Sequence, residues 1–207
     1  MVKTPGSWRF SSRNNHLSNL LHTVKCDTYL AFRKIQDTKV MRDHSLIPWS
    51  EVSSWACKAC GKCCLGYRVP LKPDEYARVA KLYGFNVVDY GLGKIYLKHG
   101  QGNRCIFQRP SQGRWICSLQ GIKPMACRLF PFRLHSKPVY SRGDRSEYYF
   151  GGRKYHIYLD PDCSGVNPGK PSARFVNNII PEILRSGMGA RFKQKYTTSK
   201  YISWTPP

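Results

Sequence analysis

Four cysteines fall within eight residues, Cys57-Lys58-Ala59-Cys60-Gly61-Lys62-Cys63-Cys64, and no other stretch restricts the possible folds so strongly. Thiolates are the soft ligands that zinc and iron–sulfur centres take, and a Cys-x-x-Cys turn offers two of them to one metal. The spacing repeats here at Cys57, Cys60 and Cys63, and Gly61 between them can supply the positive φ that a tight knuckle needs. Neighbouring side chains diverge by about 180° in a strand and about 100° in a helix, so Cys63 and Cys64 are expected on different centres. Cys105, Cys117, Cys127 and Cys163 bring the candidates to eight. That number suits two four-cysteine zinc sites, or an iron–sulfur cluster with a separate zinc or thiol set. Cys26 lies outside the clustered pattern and is read as a small core residue.

The expected compartment agrees with metal use. The opening Met1-Val2-Lys3-Thr4-Pro5-Gly6 has no apolar signal region, and no run approaches the ~18 apolar residues that cross a bilayer. A soluble, cytoplasmic protein without a membrane partner is expected, in which thiols serve metals rather than disulfides.

Charge then speaks to the partner. The chain has 34 Lys and Arg against 12 Asp and Glu, a net +22 over 207 residues. The excess is 8 against 4 over residues 1–54, 19 against 7 over 55–166 and 7 against 1 over 167–207, so it is spread through the chain. A field of this size attracts polyanions, and counterion release from nucleic acid would supply sequence-independent affinity. RNA or a ribonucleoprotein, with the ribosome as the expected particle, is therefore the partner class. Metal-bound thiolates would offset only about four of these charges.

These features divide the chain into an N-terminal extension over 1–54, a cysteine-cluster domain over 55–166 and a C-terminal helix with a basic and aromatic tail over 167–207. Leu17, Leu20, Leu21 and Val24 recur at helical spacing, predicting a helix over about 16–36. Pro73, with Asp74 and Glu75 in a solvated first turn, opens a helix to about Tyr83 that Gly84 closes; Tyr76, Val79, Ala80 and Tyr83 form its apolar face. Ile95 and Leu97 alternate with Tyr96 and Lys98. Cys105-Ile106-Phe107 and Trp115-Ile116-Cys117 flank Pro110-Ser111-Gln112-Gly113 as a hairpin. Tyr148-Tyr149-Phe150 and Tyr155-His156-Ile157-Tyr158 flank Gly151-Gly152 as a second. Ser172 can cap a helix bearing Phe175, Val176, Ile179, Ile180, Ile183 and Leu184, which Pro181 is expected to break or kink. The fold class is α+β: a small metal-stapled domain of short strands and hairpins with a few helices, carrying basic extensions at both ends. Apolar residues make up 41% of the chain, so a metal would add stability that a modest core lacks. In the tail, Arg191, Lys193, Lys195 and Lys200 interleave with Tyr196, Tyr201 and Trp204, a pattern that can grip phosphate and stack on bases.

The cysteine run, followed by Cys105-Ile106-Phe107, Trp115-Ile116-Cys117-Ser118-Leu119, Lys123-Pro124-Met125-Ala126-Cys127-Arg128-Leu129-Phe130-Pro131-Phe132 and Asp162-Cys163-Ser164-Gly165, resembles the YkgJ-type cysteine-cluster family. Its members are described as zinc- or iron-chelating or iron–sulfur-cluster-containing, and the resemblance spans about residues 55–166. Lys123-Pro124 stands where the family usually has Arg-Pro, which keeps the charge and loses a bidentate fork. Both extensions lie outside the resemblance. Beside Cys127, Arg128 is a candidate hydrogen-bond donor to a ligand sulfur, and Phe130, Pro131 and Phe132 are expected to shield the centre.

Catalytic constellations are otherwise sparse. The chain has no Walker-type loop and no G-x-G-x-x-G motif, and Gly91-Leu92-Gly93 alone is weak. His16, His22, His44, His99, His135 and His156 are scattered, and no small-molecule substrate is suggested. Some proteins with this cysteine cluster are described as lysine N-methylases, so the alternative is an iron–sulfur-dependent modification or redox enzyme. The first expectation remains a structural metal with an RNA partner.

Overall fold

The computed structural model describes residues 46–139 and 143–202. The helix expected over 16–36, Cys26, His16, His22, His44 and Trp204 lie outside these residues.

Among the described residues strands are short and pair antiparallel in four small sheets. In chain order they are β1 (Ile47–Pro48), β2 (Val52–Trp55), β3 (Pro70–Leu71), β4 (Val88–Gly91), β5 (Lys94–Leu97) and β6 (Gln108–Ser111). They continue with β7 (Arg114–Cys117), β8 (Phe132–His135), β9 (Glu147–Phe150), β10 (Arg153–Leu159) and β11 (Val166–Pro168). The helices are α1 (Pro73–Tyr83), α2 (Met125–Leu129), α3 (Gly143–Ser146) and α4 (Ile180–Gly187). The sheets are β1-β10-β8 with β9 also on β10, β11-β2, β3-β5-β4, and β6-β7. The mixture is α+β, as expected.

Both anticipated hairpins form, with one shifted. Gly151 and Gly152 have φ of 57° and 72°, the paired positive values of a two-residue hairpin turn, and they join β9 to β10. In the other hairpin Gln112 and Gly113 turn the chain with φ of 48° and 71°. Counting outward from them pairs Ser111 with Arg114 and Gln108 with Cys117. Cys105-Ile106-Phe107 therefore lies before the ladder, and Cys105 bridges His99 instead. Gly91-Leu92-Gly93 proves to be a third turn, between β4 and β5, with Leu92 and Gly93 at positive φ. In β5 the buried residues are the adjacent Tyr96 and Leu97, because the Arg68 guanidinium lies over the Tyr96 ring at 4.3 Å and covers the outer face.

Helix α1 starts at Pro73 and ends where the Gly84 N–H reaches the Ala80 carbonyl at 2.8 Å. Its apolar face forms as the spacing implies: Val79 is buried, Tyr76 packs on the same core, and Tyr83, though partly exposed, meets buried Phe107 edge to face at 5.0 Å. Glu75 corrects the expectation of a solvated carboxylate, since it is buried and accepts the backbone N–H groups of Lys72 at 3.0 Å and Met125 at 2.7 Å. Ser172 Oγ accepts from the Phe175 N–H at 3.3 Å, as its capping role requires. The chain then runs through a π-helical turn, Phe175–Ile179, directly into α4. Pro181 lies just after this π-helical turn, where the regular i→i−4 ladder is already broken, and the helix continues through it to Gly187.

Two apolar groups result. Phe132 meets Trp55 edge to face at 5.0 Å and stacks on Phe175 at 6.2 Å, tying β2, β8 and the C-terminal helix together. A second group, built on Val79, Leu97, Phe107, Leu119 and Ile122, includes buried Cys105 and has Cys64, Cys117 and Cys127 packed against it.

Candidate metal centre

The cysteine knuckle is positioned by the β2–β11 pair. Trp55 pairs with Val166, and the Ala56 N–H donates to the Gly165 carbonyl at 3.3 Å. Cys57 and Cys163 thus stand at the same end of that ribbon. Ala59 and Gly61 take positive φ of 53° and 81° on either side of Cys60, and the turn Lys62–Cys64 closes the knuckle. Gly61 is required for space as well as torsion, because a Cβ there would lie 2.8 Å from Trp115 Cγ and 2.9 Å from Arg104 Nη1. The Trp115 N–H donates to the Ala59 carbonyl at 2.8 Å, and Arg104 covers the Trp115 ring at 4.0 Å. Hairpin β6–β7 is fastened to the knuckle in this way.

The other thiols arrive from separate elements. Leu65 bridges Arg104, and the Cys105 N–H donates to the Cys64 carbonyl at 2.8 Å, so Cys64 and Cys105 are neighbours along one ladder. Cys117 ends β7, opposite Gln108. Cys127 sits on α2, whose first free N–H is the one that Glu75 receives. All eight described cysteines are free of disulfides.

The eight thiols interact in one neighbourhood with two ends. Cys57 feels Cys63 and Cys163, and Cys163 feels Cys60 and Cys63. Cys64 feels Cys127 and Cys117, and Cys105 and Cys127 each feel Cys117. Cys64, Cys105, Cys117 and Cys127 also share the second apolar group, whereas Cys60 is exposed. Cys63 interacts with both ends, and its sulfur converges on that of Cys64 at 3.8 Å, against the expected divergence of neighbouring side chains, because the tight turn Lys62–Cys64 directs both thiols to one side. The hydrogen bond from the Cys64 thiol lowers Cys63 to about 7 and raises Cys64, so Cys63 is the member of the pair that ionises.

Burial pushes up the thiols of Cys57, Cys105, Cys117 and Cys163, reaching about 11 for Cys105. Each of these four then receives a backbone N–H from two residues ahead, at Ala59, Phe107, Leu119 and Gly165, which favours the thiolate. The Ala59 bond to Cys57 Sγ measures 3.4 Å. Ser164 Oγ donates to Cys60 Sγ at 3.2 Å. Trp55 Nε1–H is buried with no hydrogen-bond partner and faces the Cys163 sulfur, whose ionised form it favours.

Among the described residues no three His, Cys, Asp or Glu side chains stand ready to hold one metal ion. The donor set nonetheless fits zinc or iron chemically. It offers eight unpaired thiols, four with N–H donors aimed at sulfur, and one orphaned indole donor that a thiolate would satisfy. The set Cys57, Cys60 and Cys163 and the set Cys64, Cys105, Cys117 and Cys127, with Cys63 facing both, would hold zinc or iron and fasten these separate elements together.

Other expected residues fall elsewhere. Arg128 directs its guanidinium to the Ser186 carbonyl at 3.4 Å and to the Ala190 carbonyl, at the end of α4, rather than to sulfur. Phe132 belongs to the core beneath the centre, and Phe130 packs on Tyr67 at 5.4 Å. The tail folds back onto the domain: the Cys57 N–H donates to the Tyr196 carbonyl at 3.0 Å, and Gln194, Thr197, Thr198 and Ser199 are buried. Arg191, Lys193, Lys195 and Lys200 remain exposed. Tyr196 packs under Arg174 at 5.5 Å and Tyr201 under Arg114 at 4.5 Å, two arginines that the linear pattern of the tail does not include.

Neither the curated proteins nor the solved structures contain a significant match to this chain. Residues 56–163 match the family model described as "CxxCxxCC: Putative zinc- or iron-chelating domain". That is just over half of the chain and covers all eight clustered cysteines. The chain belongs to this CxxCxxCC family of metal-chelating domains.

Proposed function

We propose that this metal-binding protein uses its centre as a structural staple and binds RNA, as an accessory component of a ribonucleoprotein particle such as the ribosome. One observation carries the reading. Arg191, Lys193 and Lys195 are exposed while Phe192, Gln194 and Tyr196 turn inward, so three cations stand in a row on a strip of chain anchored to Cys57. Among the described residues none of the three is in an ion pair with a carboxylate. Exposed cations outside ion pairs engage phosphates without first breaking such pairs, and each engaged phosphate releases counterions.

The metal would contribute folding free energy, on the order of 10 kcal/mol for a structural zinc site. This suits a domain built from four small sheets. The test is retention of a structured RNA by the metal-loaded protein at two salt concentrations. Wild-type affinity is expected to fall steeply between low and moderate salt. The triple variant R191E/K193E/K195E is expected to lower the slope of log affinity against log salt by about 0.7–0.9 per lost contact. Failure of the wild type to retain RNA at low salt would refute the reading.

A further inference from the structure

We infer that Lys123 is the buried counter-cation of the cysteine centre, shared by its two thiol sets. The inference rests on the thiols holding metal. Lys123 follows the turn Gln120–Ile122 and precedes Pro124, at the start of α2. The proline keeps Lys123 extended, with φ −49° and ψ 126°. The residue is only 9% exposed. A lysine is seldom buried so fully without a counter-charge, because an unpaired ammonium loses its hydration with nothing in return.

Its one described hydrogen bond goes to a neutral group, Thr198 Oγ1, at 3.1 Å. Gln120 Nε2 donates to the same hydroxyl at 3.1 Å and so orients it. Among the described residues no carboxylate stands within ion-pair distance of Lys123. The ionisable neighbours that do face it are thiols: its charge reaches Cys57 of one set, Cys117 and Cys127 of the other, and Cys63, which faces both. Four thiolates about a divalent ion leave a net charge near −2, and two such centres side by side repel. A single ammonium whose charge reaches both sets, held from the tail by Thr198, offsets part of both charges.

Zinc affinity of the full chain, measured by competition with a chromophoric chelator at fixed pH, tests this in wild type, K123M and K123R. K123M is expected to bind zinc about 10- to 100-fold more weakly, with the same number of ions at saturation, and K123R to restore most of the loss. Equal affinity in K123M and wild type would overturn the inference. So would a K123R variant as weak as K123M, which would make shape rather than charge the cause. Should K123M fail to fold, T198V decides, since it keeps the charge and frees the head group: a several-fold loss supports the role, and no change overturns it. A wild type that takes up no zinc or iron would instead overturn the metal reading itself.

Discussion

Glu75 accepts the backbone N–H of Met125 at 2.7 Å from fifty residues away, and so a carboxylate on α1 fixes the start of the helix that carries Cys127. The same group holds the Lys72 N–H at 3.0 Å, so two orphan helix donors converge on one buried charge. Glu75→Ala leaves both without an acceptor. It is expected to cost on the order of 2–3 kcal/mol in urea denaturation of the metal-loaded protein. Asp74→Ala, which removes an exposed pair with Arg78 and one first-turn acid of α1, is expected to cost about 1 kcal/mol or less. Equal losses in the two variants would contradict the assignment.

Gly61 makes a separate claim on the knuckle. Alanine at this position meets Trp115 and Arg104 at under 3 Å and is strained at φ +81°. The collision is with side chains that fasten hairpin β6–β7 in place, so Gly61→Ala is expected to lower stability by about 1–3 kcal/mol and to weaken metal uptake in a chelator competition. Gly93→Ala has the same sign of φ but open space around it, and is expected to leave metal uptake unchanged. Uptake by Gly61→Ala equal to that of the wild type would refute the steric argument.

Local chemistry explains what could be read from the sequence. The eight cysteines, the Gly151-Gly152 hairpin, the start of α1 at Pro73 and the Ser172 cap each follow from a residue type whose backbone or ligand preference is strong by itself. The features that escaped depend on distant neighbours. The alternation around Tyr96 cannot show that Arg68 buries it. The acidic first turn of α1 gives no sign that Glu75 caps α2. The tail residues Gln194, Thr198 and Ser199 are polar, and only their hydrogen bonds to Arg128, Ser186 and Gln120 reveal why they are buried. The π-helical turn before Pro181 likewise has no signature in residue types alone.

The vicinal pair Cys63 and Cys64 predicts an order of reactivity in the metal-free protein. Cys63 ionises from about pH 7, while Cys105 stays protonated until about 11. Since the thiolate is the nucleophile, iodoacetamide followed by peptide mapping should modify Cys63 with a midpoint near neutrality and leave Cys105 intact until strongly alkaline pH. Because the folded state favours the Cys63 thiolate, this group stabilises the metal-free fold at alkaline pH, and its contribution is lost as pH falls through about 7. Modification of Cys105 at or before the pH that modifies Cys63 would contradict this order.

Metal content decides the central claim. Elemental analysis and the absorption spectrum of anaerobically purified protein should show zinc or iron held by both thiol sets, in a colourless protein with about two zinc ions or a brown one absorbing near ~400 nm for an iron–sulfur cluster. C60S and C127S should each remove the metal of one set and leave that of the other. A chain that purifies without zinc or iron, or two variants that both retain the full complement, would contradict the reading that the clustered cysteines hold metal in two sets.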